Sequence, residues 1–394
     1  MQAQQLSKTR VQSVDLLRGL VMIIMALDHT RDFFHLKAMT ENPLNPATTT
    51  VWLYFTRWIT HFCAPTFVFL SGASIYFQSL RKSKAELTRF LISRGCWLIL
   101  FEIVVFNFAY GFDIDYGLIA FQVIFAIGIS MIILGIFIWL PFQVILAVGL
   151  IVVFGHNLLD IYERSHKDFS VWYSLLHRPG MYPMNDKHTF FVLYPFLPWM
   201  GLMFLGYCFG KLMYNKQGTE RRRALLILGS TIVLLFIVIR MINVYGDPGQ
   251  WQKADSFRDT LFSFLNTQKY PPSLLYMCMT IGPSIIFLAL FDEARGRIAK
   301  VISVYGRVPF FYYILHFYLI HTVSMICFFL RGHSFEEGTK GALLTPFFVK
   351  EGEGYSLFVV YLFWIAIVAS LYPLCKWYDK YKSTHRDNKW LSYL

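Results

Sequence analysis

Apolar residues in this chain come in long unbroken runs separated by short polar breaks. They do not alternate with polar residues at the period of a strand. Runs of about twenty apolar residues match the thickness of a bilayer core crossed by a helix. On that pattern the sequence predicts about ten membrane-spanning helices, at residues 13–34, 51–79, 88–109, 116–139, 142–159, 190–213, 222–243, 272–291, 301–330 and 356–375. Pro141 marks a very short turn between the fourth and fifth spans, and Pro195 with Pro198 should kink the sixth. Two longer polar loops are expected at 160–189 and 244–271, the second containing a short interfacial helix near LFSFLNTQKYPP. The expected fold class is all-α: a polytopic transmembrane helical bundle forming a single domain over 1–394, with an N-terminal tail at 1–12 and a basic C-terminal tail at 376–394.

Composition agrees. Mean hydropathy is +0.47, 56% of residues are hydrophobic and only 15% are charged, which excludes an ordinary soluble domain. The net charge of +12 does not point to nucleic acid, because the cations gather in alternate loops. Lys8 and Arg10 precede the first span; Arg81, Lys82, Lys84 and Arg89 join spans two and three. Lys211, Lys216 and Arg221 to Arg223 join six and seven, and Arg295, Arg297 and Lys300 join eight and nine. Lys376, Lys380, Lys382, Arg386 and Lys389 follow the last span. With ten spans all of these fall on one face, so both termini are expected to be cytoplasmic. The first span has no small-residue cleavage site and is read as retained. The cysteines (Cys63, Cys96, Cys208, Cys278, Cys327 and Cys375) lie in or beside apolar spans with no CxxC pair, so neither a disulfide framework nor a metal site is expected.

Polar residues inside the spans carry the candidate chemistry, since such groups are costly at membrane depth and usually line a bundle interior. Arg18 and His29 are eleven positions apart, almost three turns, and so share one helix face with Met22 and Met25 between them. Their Cα atoms are then about 16 Å apart along the axis. In the second span Arg57 and His61 stand at i and i+4. With spans one and two as neighbours, Asp28, His29, Arg57 and His61 are expected to converge on one cavity. Asp28 would orient an imidazole acting as general base. An ion-pair cluster that only ties two helices together is the alternative. Arg18, Arg94 and Arg307 could form a cationic mouth for phosphates, or serve simply as positive-inside anchors. Asn266, Gln268, Lys269 and Tyr270 could grip a hydroxyl-rich substrate, or be an interfacial loop. Glu102 is expected to pair with a base across the bundle. His316 and His321 lie on different faces of one span. His156, His166, His177 and His188 read as solvated loop histidines.

The stretches SVDLLRGLVMIIMALDHTRDFF (13–34), FCAPTFVFLSGASI (62–75), FLNTQKYPPSLLYMCMTIGP (264–283) and VYGRVPFFYYILH (304–316) resemble the heparan-alpha-glucosaminide N-acetyltransferase-like bacterial membrane proteins. More broadly, the Arg18–His29 spacing is similar to the first-helix motif of membrane acyltransferases that O-acetylate surface polysaccharides. The resemblance implies a multi-pass protein of the bacterial inner membrane. It implies acetyl-CoA as acyl-donor cosubstrate with its phosphates near Arg18, and a sugar or glycan acceptor entering from outside. His29, or secondarily His61, would be the base or a transient acetyl carrier, with no metal needed. The partners expected are acyl-CoA, the acceptor and the lipid bilayer, with a homodimer left open. The rival reading is a transporter of a small polar solute, which inward-facing His, Arg and Asp would also serve.

Overall fold

The computed structural model describes residues 12–38, 40–294, 296–385 and 391. Lys8, Arg10, Arg295, Arg386 and Lys389 of the expected positive face lie outside these. The helices, in chain order, are α1 (Gln12–Phe34), α2 (Val51–Ser79), α3 (Lys84–Gly111), α4 (Val123–Phe137), α5 (Phe142–Ser165), α6 (Val171–Leu176) and α7 (Phe196–Asn215). They continue with α8 (Gly218–Ile242), α9 (Phe257–Leu265), α10 (Leu274–Leu290), α11 (Arg297–Arg307), α12 (Pro309–Leu330), α13 (Phe335–Gly338) and α14 (Leu357–Thr384). Among the described residues seven helices are long and apolar enough to cross a membrane: α2, α3, α5, α7, α8, α12 and α14. Of the other expected spans, α4 and α10 are apolar but short, and α1 is held back by Asp15, Arg18, Asp28, Arg31 and Asp32.

Several expectations are corrected. The chain is mostly helical, as expected, but β1 (Leu118–Phe121), β2 (Gly180–Pro183) and β3 (Thr189–Val192) add a small sheet in the order β1-β3-β2. β1 runs parallel to β3, and β2 antiparallel to it. Residues 116–122 and 190–195, read as the starts of spans four and six, are therefore not helical. Pro195 and Pro198 begin α7 instead of kinking it, because the first turn has no use for their missing amide hydrogens. The expected span 301–330 is broken at Val308, with Pro309 opening α12. The C-terminal helix continues through Thr384, well into the expected tail.

Among the described residues Glu102 pairs with no base. A π-turn spans Glu102–Phe106, and from it the carboxylate accepts the backbone N–H of Gln122 (3.1 Å) and Phe125 (3.2 Å). These are orphan donors at the start of α4, whose own cap residue, Gln122, makes no side-chain cap hydrogen bond. His156 and His177 are also not solvated: they are 4% and 0% exposed, with Nδ1 of one 3.0 Å from Nε2 of the other. The expected loop at 160–189 holds the end of α5, α6, β2 and the first residue of β3.

α1 sits inside the bundle against α2, α10, α11, α12 and α14. Close approach at two crossings rests on glycine. A Cβ on Gly19 would overlap the Ile302 carbonyl, and one on Gly306 the Asp15 carbonyl; α2 and α7 meet in the same way through Gly72 and Gly206. The obstacle is backbone, so no rotamer change relieves it. Gly206→Ala is expected to cost about 1–3 kcal/mol as overpacking. Thermal unfolding in detergent should show it, with Gly155→Ala, which meets nothing within 4 Å, as the control.

Candidate functional site

The first-helix stripe opens onto a cavity of about 290 Å³. Arg18, Met22, Met25 and His29 line it from α1 at the spacing i, i+4, i+7, i+11. From α2 come Thr60, Cys63, Ala64, Phe67, Ser71, Ser74 and Gln78, also at helical intervals. Phe90, Arg94 and Leu98 of α3 stack one turn apart, and Ile124, Ile127 and Met131 of α4 face them. Pro309, Phe310 and Tyr313 close the side toward α12. One end of the cavity carries Arg18, Arg94 and Gln78; the other carries Asp28, His29, Tyr194 and Lys269. The wall between them is largely apolar.

At the first end the Arg18 guanidinium donates to the Leu70 carbonyl (2.8 Å) and to the Ser74 hydroxyl. Arg94 shares that end. Arg307 does not: its guanidinium pairs with Asp379 at 2.7 Å and is not part of the lining.

At the other end the four residues expected to converge do so only in part. Arg57 donates to Asp28 at 2.6 Å, and Arg31 stands 2.9 Å from the second Asp28 oxygen. The carboxylate is thus committed to two guanidinium groups and does not orient His29, as the sequence suggested. His29 makes no hydrogen bond to another described residue. Its ring lies 4.1 Å from Phe317 and 5.4 Å from His316, centroid to centroid. His316 is fully buried: Nδ1 meets the Tyr312 carbonyl at 3.0 Å, while Nε2 has no partner. His321 lies apart, between the Ala109 and Phe347 carbonyls.

His61 is turned out of the cavity, for a reason written in the chain. Pro65 has no N–H to offer the carbonyl four residues back, so that of His61 is left without its helical donor. The helix tightens into a 3₁₀ turn at Thr60–Phe62, and the Tyr276 hydroxyl supplies the missing bond to the His61 carbonyl at 2.8 Å. The three-residue turn breaks the i, i+4 register that would have stacked Arg57 and His61. The His61 ring sits edge-on to Tyr276, its Nδ1 unpartnered.

Lys269 reaches the cavity from the loop between α9 and α10, and Tyr270 beside it packs on Tyr194 with ring centroids 5.1 Å apart. Burial alone would raise the Tyr270 hydroxyl. The Lys269 and Arg57 charges outweigh it and hold the group below the usual tyrosine range. Asn266 and Gln268 do not line the cavity; they serve the loop through backbone. Arg240, 1% exposed, donates to the carbonyls of Gly249, Ser263, Phe264 and Asn266 at 2.8–3.0 Å. Asp247 accepts from the Gln268 N–H (2.8 Å), the Ser273 hydroxyl (2.6 Å) and the Gly249 N–H (2.9 Å). Burial pushes the Asp247 carboxyl up against these bonds.

Sequence reading missed Thr60, Ser71, Ser74, Gln78, Gln122, Tyr194 and Tyr313. Ser71, Ser74 and Gln78 were legible as a polar stripe at i, i+3, i+7. Gln122 and Tyr194 were not, since the sheet positions them: the Leu193 and Tyr194 N–H groups both donate to the Phe121 carbonyl at 3.1 Å.

Residues 10–240 match the family described as Heparan-alpha-glucosaminide N-acetyltransferase, catalytic, a stretch covering more than half of the chain. No curated protein matches the chain. The matched stretch contains α1 to α4, which provide most of the cavity, together with the apolar helices α5 and α7 and nearly all of α8. The chain belongs to the heparan-alpha-glucosaminide N-acetyltransferase catalytic family and is an integral membrane protein of acetyltransferase type.

Proposed function

We propose that the protein transfers an acetyl group from cytoplasmic acetyl-CoA to an amino or hydroxyl group of an extracytoplasmic sugar or glycan, with His29 as general base. The reading places both termini in the cytoplasm, with ten helices crossing the bacterial inner membrane. The observation that carries it is the continuous cavity with Arg18 and Arg94 at one end and His29 and Lys269 at the other. The two ends, about 16 Å apart along α1, suit a donor that keeps its phosphates at one face and presents a thioester near the other. Guanidinium groups favour phosphates, and the apolar wall suits a slender, mostly uncharged arm.

In the proposed step the acceptor nitrogen or oxygen attacks the thioester carbonyl carbon while an unprotonated His29 nitrogen takes the acceptor's proton. The Lys269 ammonium faces the negative charge that builds on the carbonyl oxygen. The carbon–sulfur bond then breaks. The departing CoA thiolate takes the proton from His29, leaving the acetylated acceptor and free CoA thiol. Thr60, which lines that end, and Tyr270, next to Lys269, would hold acceptor hydroxyls.

Calorimetric titration of the detergent-purified protein with acetyl-CoA tests the donor half. Saturable binding that weakens at least tenfold in Arg18→Ala, about 1.4 kcal/mol, is the expected result. Absence of binding at millimolar acetyl-CoA would remove the acyltransferase reading and favour solute transport.

A further inference from the structure

A second cluster lies outside the cavity, where the end of α5 meets α6. Asp160 and Glu163 are three apart on one helix face. Among the described residues, each can offer one ligand atom together with His177 such that all three atoms lie within 4.8 Å of one another. Asp160 and His177 are buried, at 7% and 0% exposed, and Glu163 is largely covered, its side chain 10% exposed. Two adjacent carboxylates taken out of water need positive charge. None of the described Lys or Arg side chains forms an ion pair with either. The nearby cations are directed at carbonyls instead: Arg178 donates to the Glu163 carbonyl and Arg164 to that of Pro248. The contacts that exist are neutral or shared. Asn157 donates to Asp160 at 2.7 Å, and Glu163 meets His177 Nδ1 at 2.7 Å.

The surroundings also leave a polar atom unused. His156, 4% exposed, stands against His177, and its Nε2 has no partner. The Tyr173 hydroxyl faces Glu163 from the same side.

We infer that Asp160, Glu163 and His177 bind a divalent cation. One imidazole nitrogen and two carboxylate oxygens suit Zn²⁺ or Mn²⁺ better than Ca²⁺, which prefers oxygen alone. The ion supplies the charge that the carboxylates lack. His177, bound through one nitrogen, donates the other N–H to His156, the usual support of a metal-bound histidine. The site has a structural consequence. Asn157 bridges Asp160 to the N–H of Leu274 (2.9 Å), the first residue of α10. That residue follows directly on the loop bearing Lys269. An ion there would stiffen the floor beneath that loop.

The test uses the full chain in detergent, stripped with EDTA and titrated separately with Zn²⁺ and Mn²⁺. Bound metal is counted by elemental analysis and stability is followed by thermal unfolding. Binding of one equivalent with a raised Tm is expected for the wild type. Asp160→Asn and Glu163→Gln should each weaken binding at least tenfold, in line with the loss of a supporting or ligating group. Glu337→Gln, in the surface His333–Glu337 pair, should bind as the wild type does. The metal-free Tm of each variant shows that it is folded. No binding of either metal by folded wild type would overturn the proposal, as would binding that survives both substitutions. A rise in metal-free Tm in both variants without metal binding by the wild type would assign the carboxylates to a shared proton instead.

Discussion

His29→Ala is expected to slow acetyl transfer by about 10²–10⁴-fold, the usual worth of a positioned general base, while leaving acetyl-CoA affinity close to that of the wild type. The separation follows from the geometry. His29 lines the end of the cavity remote from Arg18 and Arg94, so its loss removes proton transfer without touching the phosphate end. Release of CoA thiol against a panel of amino sugars and glycan fragments is the measurement. His61→Ala belongs in the same experiment, because the sequence offers both histidines. The His61 ring is packed on Tyr276 and lines no part of the cavity. Its removal should act through packing, lowering Tm more than turnover. Equal losses in the two variants, or a larger loss for His61→Ala, would move the base to the second helix. His316→Gln would then gain interest from the other side, since the His316 ring is 5.4 Å from that of His29 with one nitrogen unpartnered.

Asp28→Asn should destabilise the protein by about 3–5 kcal/mol, the range for breaking one side of a buried ion pair. Asp28 is 7% exposed and the Arg57 side chain 15% exposed, with 2.6 Å between the charged atoms. Arg31 keeps a second carboxylate, Asp32 at 2.5 Å, but among the described residues Arg57 forms no other ion pair with an acidic group. The uncompensated Arg57 guanidinium is therefore the source of the loss. It follows that Arg57→Met in the Asp28→Asn background should recover much of the stability, since a pair replaced whole by uncharged groups is often neutral. Thermal and denaturant unfolding of the four proteins of the cycle give the coupling. A single variant within about 0.5 kcal/mol of the wild type, as for an exposed substitution, would mean that water reaches the pair. The same cycle bears on activity. With Asp28 engaged by two guanidinium groups, its part in turnover should be to place α1 against α2, not to raise the basicity of His29.

Much of this molecule was determined by the sequence alone. Long apolar runs have one stable outcome in a bilayer, because only a helix satisfies every backbone group within its own segment. The helical positions, and the division of the chain into a bundle, were legible for that reason. So was the first-helix stripe: Arg18, Met22, Met25 and His29 share a face whatever packs against it, since 3.6 residues per turn is a local property. Where local backbone rules competed with that period, the sequence held the signal but the period hid it. Pro65 cancels one helical hydrogen bond and so rotates His61 away from Arg57. Pro195 and Pro198 open a helix where they were expected to bend one, and Val308–Pro309 divides a span in two.

What only the tertiary structure decided is partnership. Asp28 is adjacent to His29 in sequence, yet its carboxylate belongs to Arg57 and Arg31, because opposite charges brought together by α1–α2 packing outweigh chain proximity. Glu102 serves a helix start twenty residues on instead of a base. His156 and His177, twenty-one positions apart, meet through a short helix that single-residue polarity could not reveal. Lys269 enters the cavity because Arg240 and Asp247 tie its loop down by backbone carbonyls and amides, which carry no side-chain code. Hydrogen bonds to backbone and pairings between distant charges depend on position in space, and position is fixed only when all the helices are packed at once.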